Sequence, residues 1–252
     1  MLIHTMTSFP DKALLEEAAA AMAEWERKKQ ELQERKDAVK RKYLQAVSTG
    51  GNGMDLSMLH TARSLREAVE NNEYGSILSV LDKAVLPSGF AFGVRSCDME
   101  GDSLGDWSKP FVLMPDGKRS ESIFEFFRFE DSSMGVWQAF LLHQMWHYLP
   151  LWWHANYDRR HYHYSQEDAP VFDRPLPYFQ KKVIIYPDFS RFDLSPEVYH
   201  EGGDYYVSSC FWSSFGGLIR EYAKLTFKEG MLDGFFVFDE KTLVEYDCGI
   251  LF

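Results

Sequence analysis

From Asp11 to Thr49 the chain holds neither proline nor glycine, and Ala18, Trp25, Leu32, Val39 and Ala46 recur every seven residues. A companion row, Leu15, Met22, Lys29, Lys36 and Tyr43, is apolar at its ends and basic in its middle. This spacing predicts one helix of about 38 residues, opened around Ser8, Pro10 and Asp11 and packed on a single partner helix. Gly50-Gly51-Asn52-Gly53 must break it, because glycine there loses too much backbone entropy. A second helix is expected after Asp55, with Leu56, Leu59, Ala62, Leu65 and Val69 at helical spacing, and a third over 73–86, stopped by Pro87-Ser88-Gly89.

From residue 89 the pattern changes. Residues 89–97, 110–114, 122–130, 182–186 and 205–212 read as strands, and Pro115-Asp116-Gly117 reads as a turn. Ser132 or Ser133 should cap a helix that Pro150 ends, and Ser213 or Ser214 a second one to about Lys228. Residues 235–238 and 243–246 read as a hairpin across Asp239-Glu240-Lys241-Thr242. Strands joined mostly by short turns indicate an α+β fold: an N-terminal helical hairpin packed on a mostly antiparallel β-sheet with two additional helices. Residues 1–87 form the helical region and 88–252 the α+β region, expected to pack together as one unit.

Composition adds two constraints. Among 252 residues the net charge is −11, which argues against nucleic acid and fits a basic protein partner. Residues 27–42 run the other way, with eight Lys or Arg against three acidic residues, and read as a solvated helix face with internal ion pairs. Aromatics reach 16%, more than a core of this size needs, so part of them is expected at a binding surface. The three cysteines (Cys97, Cys210, Cys248) are too few for a disulfide framework, and no apolar run is long enough to span a membrane. With an N-terminus unlike a signal peptide, a cytoplasmic location is expected.

Candidate chemistry falls in three places. Gly101-Asp102-Ser103-Leu104 resembles the first block of the GDSL/SGNH serine esterases, and Asp158-Arg159-Arg160-His161 resembles their Asp-x-x-His block. That resemblance implies Ser103 as nucleophile with Asp158 and His161 completing a triad. The string follows Cys97-Asp98-Met99-Glu100 rather than an apolar strand, and no Gly-x-Asn-Asp block occurs, so an acidic surface loop is the favoured reading. The carboxylates of Asp98, Glu100, Asp102 and Asp106 do not meet the glycine and glutamate positions of an EF-hand.

Five of the eight histidines lie between residues 143 and 163. His143 and His147 are four apart on an expected helix, the spacing of a metal-ligand pair, but they extend the apolar stripe of Val136 and Phe140, where a core histidine is commoner. Interleaved with them are Trp146, Trp152, Trp153, Tyr157, Arg159, Arg160, Tyr162 and Tyr164, residue types that dominate interface hot spots. Phe211-Trp212-Ser213-Ser214-Phe215-Gly216-Gly217 could present amides to an anion, although a plain capped helix explains it. The resulting expectation is a non-catalytic binding protein of the immunity or inhibitor type. It would need no cofactor, bind neither nucleic acid nor membrane, and neutralise a basic protein through the aromatic stretch and the acidic segments 98–131 and 229–247. A serine hydrolase at Ser103 and a metal-dependent hydrolase at His143 and His147 are the alternatives.

Overall fold

The computed structural model describes residues 12–49, 56–71, 73–95, 109–148, 161–163, 182–186, 189, 192–213 and 217–247. The chain is α+β, as expected. Helix α1 (Lys12–Ser48) is followed by α2 (Leu56–Glu70), a 3-10 turn (Tyr74–Ser76), the one-turn α3 (Ile77–Val80) and strand β1 (Ala84–Val85). Strands β2 (Ala91–Arg95), β3 (Lys109–Leu113) and β4 (Arg119–Ser120) form a small antiparallel sheet. Its β3–β4 connection is the expected turn, with the Gly117 amide donating to the Met114 carbonyl at 2.9 Å. A 3-10 turn (Ile123–Glu125) and strand β5 (Arg128–Phe129), which pairs with β1, replace the longer strand expected over 122–130. Helix α4 (Ser133–Tyr148) then begins where expected, the Ser132 hydroxyl accepting from the Gly135 amide at 3.1 Å as an N-cap.

The main sheet is antiparallel throughout. Strand β9 (Asp204–Ser213) pairs with β10 (Gly217–Lys228), β10 with β11 (Met231–Asp247), and β11 with β7 (Lys182–Ile185). The other edge of β9 carries β8 (Glu197–Glu201) and β6 (His161–His163) end to end.

The third helix expected over 73–86 is reduced to the 3-10 turn and the single turn of α3, because strand β1 already begins at Ala84, and two further expectations are corrected here. The helix expected to run to Lys228 is strand β10, and the hairpin expected over 235–246 is the second half of one strand, β11. Strand β10 is covered on both faces, so it lacks the alternation of apolar and polar residues that marks a half-exposed strand. Leu218, Ile219, Tyr222 and Ala223 then satisfy helical spacing equally well. In β11 the polar run 239–242 stays extended because β10 pairs with its backbone and two of its side chains find partners distant in sequence. The Lys40 ammonium meets Asp239 at 2.6 Å, and Lys241 lies 4.7 Å from the Phe192 ring centre.

The two arms of the expected helical hairpin take opposite faces of this sheet. Helix α2 joins α4 on one face, in a core of Met58, Leu65, Trp137, Phe140, Val207 and Leu225, and the Trp137 indole donates to the Met58 carbonyl at 3.0 Å. On the other face, the last turns of α1 lay Val39, Tyr43 and Ala46 against Tyr199, Tyr206, Tyr222 and Phe238. Along the earlier part of α1, every described side chain from Leu15 to Arg35 is exposed.

Hairpin turns shape one end of the sheet. Glu229-Gly230 and Gly202-Gly203 are two-residue turns with positive φ at both positions, the backbone that matches the twist of the strands they join. Glu229, at φ 52°, is the described non-glycine residue in that region. Gly135 has a different task, since a Cβ there would stand 2.1 Å from the Glu130 carbonyl oxygen. Glu229→Asn should therefore raise the unfolding free energy by about 0.5–1 kcal/mol. Gly135→Ala should lower it by about 2 kcal/mol, both read as shifts in urea midpoint.

Candidate binding cleft

At the end of the sheet where these turns lie, a cleft of about 260 Å³ opens between the start of α4 and the β8–β9 and β10–β11 hairpins. Its walls include Glu130, Asp131, His200, Tyr205 and Phe227. The register explains the aromatic side. His200, Tyr205 and Phe227 project from the same sheet face, so the His200 ring stacks on Tyr205 at 4.5 Å between centres, and Phe227 meets Tyr205 edge-on at 5.7 Å.

The acidic side is set by backbone pairing. The Phe129 amide donates to the Gly230 carbonyl at 2.8 Å, and the Arg128 guanidinium donates to the Glu229 carbonyl at 2.9 Å. The Glu130 amide donates to the Lys83 carbonyl at 3.0 Å. Asp131 accepts a hydrogen bond from the Tyr205 hydroxyl, while Glu130 pairs with Lys83 at 3.1 Å. Lys83 holds the Glu130 carboxyl below its ordinary range, so it is charged at neutral pH. Burial, reinforced by Asp131, pushes the Tyr205 phenol up to about 12. The cleft thus combines two exposed carboxylates with aromatic walls, a combination suited to a guanidinium or ammonium side chain.

A second polar constellation lies inside the molecule. Arg220, on the α1 face of β10, is buried and donates to Glu197 at 2.7 Å, to the Ser208 hydroxyl and to the Asp193 carbonyl at 2.6 Å. The Ser208 hydroxyl itself donates to Glu197 at 3.0 Å. Cys210 is close to the same guanidinium, but burial pushes its thiol up to about 11, so it is protonated and a poor nucleophile at neutral pH. Enclosed and satisfied, this network ties β8, β9, β10 and the 192–195 segment together.

Several sequence candidates fall outside the described residues: Ser103, Asp158, Trp152, Trp153, Tyr157, Arg159, Arg160 and Tyr164, together with the segment 98–106. Trp146 and His147 belong to α4, but their side chains are likewise outside the description. The His143 ring stacks on Phe235 at 3.7 Å between centres with Phe124 beside it, which is a packing role. Among the described residues there is no group of three His, Cys, Asp or Glu that could hold a metal ion. His161, Tyr162 and His163 form β6, with Tyr162 opposite Phe211 and the two histidines opposite Trp212 and Cys210. The capped helix expected to start around 213–217, and with it any anion site on its amides, loses its basis, because Gly217 opens a strand.

Acidic segments distant in sequence do come together: the 128–131 stretch joins the 229–230 turn at the cleft. His200, Tyr205 and Phe227 were not expected there. Their signal was the pair of turn dipeptides flanked by aromatics and acids, which places both hairpin ends at one edge.

Two outcomes test this geometry. Arg220→Leu removes the donor shared by the Asp193 carbonyl, the Ser208 hydroxyl and the partly exposed Glu197 and should cost about 2 kcal/mol, part of it recovered when Glu197→Leu is added, as a double-mutant cycle in urea would read. Burial also holds the Tyr199 and Tyr206 phenols up at about 12, as it does Tyr205. An unfolded tyrosine loses its proton near pH 10, so between about pH 10 and 12 the unfolded state binds fewer protons and stability falls as pH rises. Part of the tyrosinate absorbance should then appear together with unfolding, and the urea midpoint should show no such loss below about pH 9.

No family model, curated protein or solved structure matches the chain.

Proposed function

We propose that the protein acts in the cytoplasm by binding and neutralising a basic protein, in the manner of an immunity or inhibitor protein. The observation that carries this reading is the cleft itself, where Glu130 and Asp131 stand over a wall of His200, Tyr205 and Phe227. A lysine or arginine side chain entering there would meet carboxylates for its charge and ring faces for its stem and head. The net charge of −11 would speed encounter with such a partner, and desolvated aromatics would supply much of the affinity.

The aromatic stretch 146–164 extends the same reading. Strand β6 pairs Tyr162 with Phe211, six residues along β9 from Tyr205. Residues 161–163 thus bring one end of the stretch to the β9 edge, about 20 Å from Tyr205 at about 3.3 Å per residue.

The test is affinity purification of the tagged protein from its own cells, with stoichiometry by mass spectrometry. One near-equimolar basic protein should be retained and released by high salt. Glu130→Lys combined with Asp131→Lys should weaken its binding by roughly tenfold or more. Trp152→Ala and Trp153→Ala should weaken it further. An acidic partner, or a basic one indifferent to charge reversal at Glu130 and Asp131, would overturn the assignment.

A further inference from the structure

The first two-thirds of α1 carries an apolar seam that nothing among the described residues covers. Leu15 is 55% exposed, Met22 69%, Trp25 58% and Leu32 46%, a concentration of bare large side chains that a soluble helix does not need. Among the described residues, ring and ion-pair contacts from α1 to the sheet run from Arg35, whose guanidinium lies 4.1 Å from the Phe236 ring centre, through Lys40 and Tyr43. The helix therefore projects as an arm.

We propose that the arm pairs with the arm of a second copy of this chain, as an antiparallel two-helix coiled coil. The spacing of the seam is self-complementary in that direction. When Met22 of one copy faces Trp25 of the other, Leu15 faces Leu32 and Ala18 faces Lys29, and the two-fold axis repeats each pairing. Four of the six layers are then apolar on both sides, and in the other two the lysine lies over an alanine. Lys29 already folds back over the Trp25 ring, at 4.8 Å from its centre, which keeps its stem along the seam and its charge near the aromatic face.

A parallel pair fails on charge. It would stack Lys29 on Lys29 and Lys36 on Lys36 inside the seam, and lay the basic run 27–42 along itself. The antiparallel pair instead lays 12–20, with two glutamates against one lysine, along 27–35, with four basic residues against two acidic.

The bodies also fit. In this register each arm reaches Lys12 as it comes level with Arg35 of the other copy, where that copy's body begins. The two Val39 positions, each packed on its own sheet, then lie about 46 Å apart along the axis at 1.5 Å per residue, so the bodies occupy opposite ends without collision. Ion pairs within the helix, from Arg27 to Glu24 and Glu31 and from Lys28 to Glu24, keep the arm helical before it meets its partner.

Sedimentation equilibrium of the full chain, over about 1–200 µM, is the test. A monomer–dimer equilibrium is expected. Trp25→Glu and, separately, Leu32→Glu should weaken the dimer by more than about tenfold while leaving the urea midpoint unchanged at concentrations low enough for the chain to be monomeric, since both side chains are exposed. Lys29→Leu should tighten it by about tenfold. Orientation is read by mixing a Leu15→Cys copy with a Leu32→Cys copy, oxidising, and mapping disulfides by peptide mass. A link from residue 15 to residue 32 supports the antiparallel pair, whereas a link from 15 to 15 overturns it. A monomer at every concentration, or a dimer indifferent to both glutamate variants, also overturns it.

Discussion

A single guanidinium fixes the layout of the main sheet. Arg220 sits in the middle of β10 with almost no water contact, and its charge is tolerable only because Glu197, Ser208 and the Asp193 carbonyl meet it from three directions. Each of those groups comes from a different piece of chain. Satisfying one charge therefore fixes the order β8, β9, β10 and pins the 192–195 segment against the sheet. Apolar packing alone would allow neighbouring registers at smaller cost, because a slip that keeps the faces apolar still fills space. A buried ion surrounded by specific acceptors does not allow them.

The cleft follows from that register. Once β8, β9 and β10 are aligned, their turns end at one edge, and His200, Tyr205 and Phe227 are forced onto a common face. The acidic wall arrives from elsewhere, carried by the ladder from Phe129 to Gly230 and by the tight entry into α4, where only glycine fits at position 135. Core satisfaction and surface chemistry are thus linked through the register of three strands.

Much of the architecture could be read directly from residue order. The long proline-free and glycine-free stretch, the turn at Pro115-Asp116-Gly117 and the serine ahead of α4 each have a local physical cause, and each stands where expected. Strand β10 could not be read this way, because a strand covered on both faces loses its alternation and leaves a pattern that helices share. The polar run in β11 misled for a related reason, since its partners, Lys40 and Phe192, lie far away in sequence. Of the cleft, the acids at 130 and 131 fell within a segment marked by charge alone. The rings of His200, Tyr205 and Phe227 become neighbours only after three strands are aligned.

The outer side of β9 is closed by two short strands laid end to end, five residues of β8 and three of β6. A ten-residue strand left bare would offer a continuous ladder of unpaired amides and carbonyls to any extended chain nearby. Dividing that boundary between two short segments shortens the template, so strand-by-strand growth between molecules has little to start from. On this side of the sheet, then, the chain limits how long a ladder a neighbouring molecule could build on.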